Sequence, residues 1–290
     1  MADTKISALT AASAAAAANE LAINEAGTSK KVTVAQLQHF LAPQGYIWGL
    51  TMSNNGADAA NDIDVAAGEA TKEGGGALMT LAASITKRLD ATWAVGTNQG
   101  GLNTGAEAVS TWYEVHLIRR SDTGVVDVMF TTTANRATLP ANYTQQRRIG
   151  WIFNDAAGAI KAFTQIDDYF TWTTQVNDAS FTATATAAAI TLSVPPSTIA
   201  RFRGAAEATT AVNTTNVTVF SEIVEGNVTP TETTGIASLG VNDIAGASAA
   251  HFELRVSATR TIEHDSDGTT YTVDVSTYGW IDSRRSMSAT

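Results

Sequence analysis

The chain has 290 residues, 44% of them hydrophobic and 16% charged, with a formal net charge of −10 and no cysteine. This length carries two domains or one large all-β domain. The acidic balance and the scattered arginine pairs exclude a nucleic-acid binder of the kind that gathers Lys and Arg to displace counterions, the missing cysteines exclude disulfides and thiolate chemistry, and no window approaches the roughly 20 apolar residues of a membrane helix. Ala, Thr, Gly, Val and Asn dominate, a mix of strand formers and turn formers.

Residues 1–44 form the first unit. Lys5 is followed by small residues, and the run Ala14 to Ala18 is too short and too weakly apolar for a secretory signal. Leu21 and Ile23 alternate with polar neighbours, "NEAGTS" supplies a turn, and Val32 and Val34 alternate again, the pattern of a small hairpin. Thr33 stands three residues before Gln36, the spacing of a capping box, and opens a short predicted helix, "VAQLQHFL", that Pro43 closes. Leu21, Ile23, Val32 and Val34 are expected to make one apolar face, which Leu37, Phe40 and Leu41 extend from the helix. A unit this small buries little by itself and must pack on the body or on a partner. These seven residues are therefore the candidate anchoring site, with the Ala/Ser run as a strap lying along the partner.

Residues 45–171 read as a first β domain. "DIDVAAGEA" and "ALMTLAASITKRL" are candidate strands split by Gly74-Gly75-Gly76. "WAVGTNQGGLNTG", residues 93–105, reads as a long exposed or intersubunit loop. "TWYEVHLIRRSDTGVVDVMFTTT" is the clearest hairpin: with the turn at Ser121–Gly124, Leu117 faces Val128 and Val115 faces Phe130, so apolar meets apolar on one face. Glu114, His116 and Asp127 fall on the other face, taken as outward. "RRIGWIF", the turn "NDAAG" and "AIKAFTQI" are expected to form a second hairpin.

Residues 172–290 read as a second β domain. "FTATATAAAITLSV", broken by Pro195-Pro196, "NVTVFSEIV" and "AHFELRVSA" are candidate strands, the last with Phe252, Leu254 and Val256 inward. "RTIEHDSDGTTYTVDVSTYGW" is expected to fold as a hairpin about Asp267-Gly268, setting Ile262 against Val273 and His264 against Tyr271. The fold class is mainly β: antiparallel β-sandwich or jelly-roll-like domains behind a short hairpin-helix anchor.

Candidate chemistry is sparse. His39, His116, His251 and His264 share no metal-ligand spacing, and no nucleophile elbow, zinc-protease helix motif or phosphate loop occurs. "DSDG" at 265–268 lacks the ligand spacing of a calcium loop, since Gly268 is fourth and Ser276 twelfth. The expectation is therefore no catalytic residue, no cofactor and no metal. The tryptophans are expected in cores or subunit contacts.

"KISAL" and "ELAINEAGTSKKVTVAQL" resemble the opening segments of tailed-bacteriophage fibre and appendage proteins. "GLTMSNNGADAANDIDVAAGEA", "TKRLDATWAVGTNQGGLNTG", "TWYEVHLIRRSDTGVVDVMF" and "LPANYTQQRRIGWI" are similar in style to the bodies of such proteins. The resemblance covers residues 1–170. It implies a virion structural protein, tail fibre or head fibre/decoration, without enzymatic activity. The implied partners are other copies of the chain, as a trimer, phage tail or capsid proteins, and a host cell-surface glycan, with no nucleic acid and no membrane insertion. Two other readings compete: a sugar-binding or sugar-cleaving tailspike-like protein, which would need an acidic cleft and is usually built on long repeats not seen here, and a carbohydrate-binding module, which would have no use for residues 1–44.

Overall fold

The computed structural model describes residues 19–34, 36–37, 43–183, 186–208, 216–222, 235, 237–241, 246–266 and 271–284. Two strands stand first, β1 (Glu20–Glu25) and β2 (Thr28–Thr33). Ten follow: β3 (Ile47–Gly49), β4 (Met52–Asn54), β5 (Asp62–Val65), β6 (Gly68–Thr71), β7 (Leu78–Leu81), β8 (Ile85–Thr92), β9 (Gln99–Leu102), β10 (Thr111–Arg120), β11 (Val126–Thr131) and β12 (Tyr143–Asn154). Nine more complete the chain: β13 (Phe163–Ile166), β14 (Tyr169–Thr182), β15 (Ala188–Thr191), β16 (Ile199–Ala208), β17 (Asn216–Glu222), β18 (Ala237–Val241), β19 (Gly246–Arg255), β20 (Thr261–Ser266) and β21 (Tyr271–Ile281). The protein is mainly β, as its alternation indicates; the helical pieces among the described residues are Val34, Gln36 and Leu37 and a 3-10 turn at Thr133–Asn135.

The first sandwich sets a seven-stranded sheet, ordered β12-β10-β11-β9-β8-β5-β4, against a three-stranded sheet, β3-β6-β7. Its core runs from Ile47, Ala70, Met79 and Leu81 to Val115, Leu117, Val128 and Phe130. Pairing is antiparallel except that β9 runs parallel to both β8 and β11. The chain changes sheets between β3 and β4 and again between β5 and β6. At that corner a Cβ on Gly68 would lie 2.4 Å from the Trp48 carbonyl oxygen, and one on Gly49 2.5 Å from that of Ala67, so only glycines let the two crossings touch.

The expected β10–β11 register is found residue for residue: Leu117 opposes Val128 and Val115 opposes Phe130. Its other face is not outward. Glu114, His116 and Asp127 are all buried, because the segments at 93–98 and 133–136 fold over them. The stretch 93–105 is accordingly not a plain exposed loop. It contributes strand β9, whose Gly101 faces the Phe130 ring and the Lys87 Cβ so closely that a methyl group there would lie 2.7 Å from the ring.

The second sandwich sets a five-stranded sheet, β13-β14-β21-β16-β19, against a four-stranded one, β15-β20-β17-β18. Phe202 and Phe252 meet Phe220 across the gap, with ring centroids 5.4 and 5.3 Å apart. Leu254 and Val256 are buried and Phe252 packs on the core, as the alternation indicates. The expected β20–β21 hairpin is corrected: β20 pairs with β15 and β17, β21 pairs with β14 and β16, and His264 opposes Ala188 and Phe220 rather than Tyr271. Both strands present their apolar residues to the same interior from opposite sheets. The turn residues 267–270 lie outside the described residues. The expected hairpin after β12 is corrected too. It closes only at the bridge Asn154–Ile160, after which β13 leaves to pair with β14.

Strand β14 is continuous across residues 171 and 172, where the domain boundary was expected, and the sheets change instead between β12 and β13. The sandwiches meet in a joint core. The Trp280 ring stacks on Phe170 at 4.9 Å and 6°, lies 4.8 Å from Trp172 and meets Trp112 edge-on at 5.6 Å. The arginine pair of β12 ties the same joint. Arg148 bonds Asp282 at 2.6 Å, Arg147 donates to the Arg284 carbonyl, and Arg284 reaches the Ile149 carbonyl and the Asp168 carboxylate.

Candidate attachment site

β1 and β2 form a two-stranded sheet that shares no strand pairing with the body. A two-residue turn, Ala26 and Gly27, joins them. Both have positive φ, 51° and 81°, the handedness that matches the twist of the flanking strands. The Asn24 side chain accepts from the Gly27 N–H at 2.9 Å and locks the turn. The register pairs Leu21 with Val32 and Ile23 with Lys30. Side chains alternate across a strand, so Leu21, Ile23 and Val32 share one face; Val34, whose N–H bonds the Asn19 carbonyl, is the first helical residue beyond it.

That face is open. Leu21 is 49% and Ile23 41% exposed, and Val32, Val34 and Leu37 are half-buried. The charged pairs Lys30–Glu25 and Lys31–Glu20, each at 2.5 Å, are exposed and contribute little. The capping box is built: the Gln36 N–H donates to the Thr33 hydroxyl at 3.1 Å, and the Gln36 side chain accepts from the Thr33 N–H at 2.8 Å. The expected helix opens here, with Val34, Gln36 and Leu37 helical; residues 35 and 38–42, with Phe40 and Leu41 among them, lie outside the described residues. An isolated hairpin is marginal in water, so this geometry suits a segment that gains its stability on a surface.

Two buried polar groupings went unseen in the sequence. Lys87 donates to the carbonyls of Ala94 and Gly96, at 2.6 and 3.3 Å, and pairs with Asp127 at 3.2 Å. Asp127 in turn accepts from the N–H groups of Gly96 and Val128. Burial lowers the Lys87 ammonium, and Asp127 offsets part of that. With three acceptors the ammonium is satisfied, and the pair pins the 93–98 segment to the sheet. Beside it His116 Nε2 lies 2.7 Å from Glu114, which also accepts from Thr133 and Arg136. Burial pushes the Glu114 carboxyl up, but His116, Arg136 and Thr133 together hold it below the ordinary range. Both side chains of this dyad are closed off from solvent, so it presents no reacting atom to a substrate. His264 packs against Phe181, ring centroids 4.1 Å apart and tilted by 32°, and burial lowers its pKa, with Asp265 opposing. His251 is exposed beside Tyr278.

Among the described residues no group of three or more His, Asp or Glu is placed to hold a metal ion, and no helix is long and apolar enough to cross a membrane. No protein-family model matches the chain, and no curated protein matches it. A solved structure of a Bacillus thuringiensis Cry1Da tryptic core variant is similar at 7% identity, with a TM-score of 0.20 over 86% of this chain and 54% of that one. The chain thus spans about half that protein's length, and a likeness this weak carries no argument.

Proposed function

We propose that the chain is a structural component of a bacteriophage virion, an appendage of the tail-fibre or head-fibre/decoration kind. In this reading the β1–β2 hairpin seats on a tail or capsid protein, and the two sandwiches stand off it for adhesion or particle stabilisation. The observation that carries it is the open Leu21–Ile23–Val32 face on a sheet that pairs with no other strand among the described residues. The resemblance of residues 1–170 to phage appendage proteins supplies the kind of partner. The chain acts without catalysis or cofactor, as a trimer of identical copies, and reaches host glycans through its body. Labelled antibody against residues 45–284, applied to intact particles in electron microscopy, is expected to decorate a tail or head appendage; particles free of label, with the protein recovered only in the lysate, would overturn the proposal.

A further inference from the structure

The outer face of the five-stranded sheet carries a built pocket. Across the strands, one row sets Thr164 beside Thr171, Thr171 beside Gly279, Gly279 beside Arg201 and Arg201 beside Glu253. Gly279 has no side chain, so the row dips between Thr171 and Arg201. Thr164, Ile166, Tyr169, Thr171 and Arg201 line the resulting pocket of about 300 Å³. That volume sits at the lower end of small-ligand sites, which run to roughly 1,000 Å³.

The chemistry of the lining is specific. The Arg201 guanidinium lies over two rings, Tyr169 at 5.2 Å and Tyr278 at 4.9 Å. Such stacking fixes a planar cation without using its N–H groups. Its polar contacts are long: 3.3 Å to Glu253 and 3.5 Å to the Thr171 hydroxyl. Charge-assisted bonds normally close to about 2.7–2.9 Å, so the cation is positioned yet weakly satisfied. Around it stand the hydroxyls of Thr164 and Thr171, the exposed Ile166 and the half-exposed Tyr169 ring. A ligand matching all of these has a carboxylate for the guanidinium, hydroxyls for the threonines and a flat C–H face for Tyr169 and Ile166.

We propose that this pocket recognises a carboxylated saccharide, a pyranose of the uronic-acid type. Arg201 takes the carboxylate, Thr164 and Thr171 the ring hydroxyls, and Tyr169 and Ile166 the apolar face. The inference rests on the reading that the body reaches host glycans and names the pocket and sugar class; because it is tested by binding to the isolated chain, its failure leaves the placement of the protein on a particle untouched.

The test is ligand-observed and protein-observed NMR on the full chain, with methyl glucuronide and methyl glucoside, which differ only at the carboxylate. The expected result is millimolar binding of the glucuronide, with shifts in Tyr169 and Thr171, and a glucoside about tenfold weaker or worse, the loss of one bond to a charged group. Arg201→Met abolishes that preference. Glu253→Gln, at an exposed position, removes a competing carboxylate and tightens glucuronide binding; it decides the matter if Arg201→Met does not fold. A glucuronic-acid polysaccharide competing for the same shifts extends the assignment from the free sugar to a polymer, and its failure to compete confines it to the free sugar. Equal binding of the glucoside, no binding of either sugar, or Glu253→Gln without effect would overturn the proposal. So would loss of self-association in Tyr169→Ala without any sugar binding, which would assign this face to a second copy of the chain.

Discussion

The hairpins β1–β2 and β10–β11 obey the same local rules and end in opposite surroundings. Each pairs antiparallel in the register its apolar alternation requires, and each carries charged residues close to its apolar ones. In β10–β11 both faces are covered. Leu117 and Val115 enter the sandwich core, and Glu114, His116 and Asp127 are roofed by loop segments that satisfy them. In β1–β2 the apolar face looks outward and the ion pairs are solvated. Pairing is thus a local property, while burial depends on what else in the chain, or beyond it, reaches the sheet.

The largest expected contrast lies in the lysines. Lys87→Met leaves Asp127 buried without its cation and is expected to cost about 3–5 kcal/mol in urea unfolding. Lys31→Ala in the first hairpin removes an exposed pair and is expected to cost about 0–1 kcal/mol. Equal costs would break the comparison. The leucines sharpen it: Leu117→Ala is expected to cost about 2–5 kcal/mol by opening a cavity, whereas Leu21→Ala is expected to stay within about 0.5 kcal/mol, since its side chain is 49% exposed.

Within the body the covered faces also set a pH dependence. The folded-state pKa of His264 is lowered by burial, so the unfolded chain binds this proton first as pH falls. Its contribution is whole above about pH 6.5, the unfolded value, and is lost progressively as pH falls below it. Urea midpoints of His264→Gln are expected to lose part of the acid-side slope seen in the parent chain. An unchanged slope would remove His264 from the explanation.

Much of the fold is legible because alternation reports which residues of a strand face inward. The Leu117–Val128 and Leu21–Val32 pairings follow directly from it. Alternation does not report which sheet a strand joins. Ile262 and Val273 both point inward, which suits a hairpin as well as two opposed sheets, and only the pairing of β20 with β17 decides. Nor does it tell whether a polar face is wet. Glu114, His116 and Asp127 are a solvent-like set in one dimension; the signal of their burial lies elsewhere, in Lys87, in the glycines of β9 and in Trp93, whose indole donates to the Val128 carbonyl. The arginines of the joint were legible only as scattered pairs and not as the link between two sandwiches, because Asp168, Asp282 and Ile149 come together only in the folded chain. Of the candidate anchoring residues expected on one face, the hairpin places Leu21, Ile23 and Val32 there.

The proposed attachment through that face is tested most directly by deleting residues 1–41. The expected result is a soluble remainder with an unchanged β-type circular dichroism spectrum and an unchanged unfolding midpoint, which no longer incorporates into particles when it replaces the full chain. A truncated chain that misfolds would show that residues 1–41 complete the body, and one that still assembles normally would show that the particle holds the protein elsewhere; either result contradicts attachment through the hairpin.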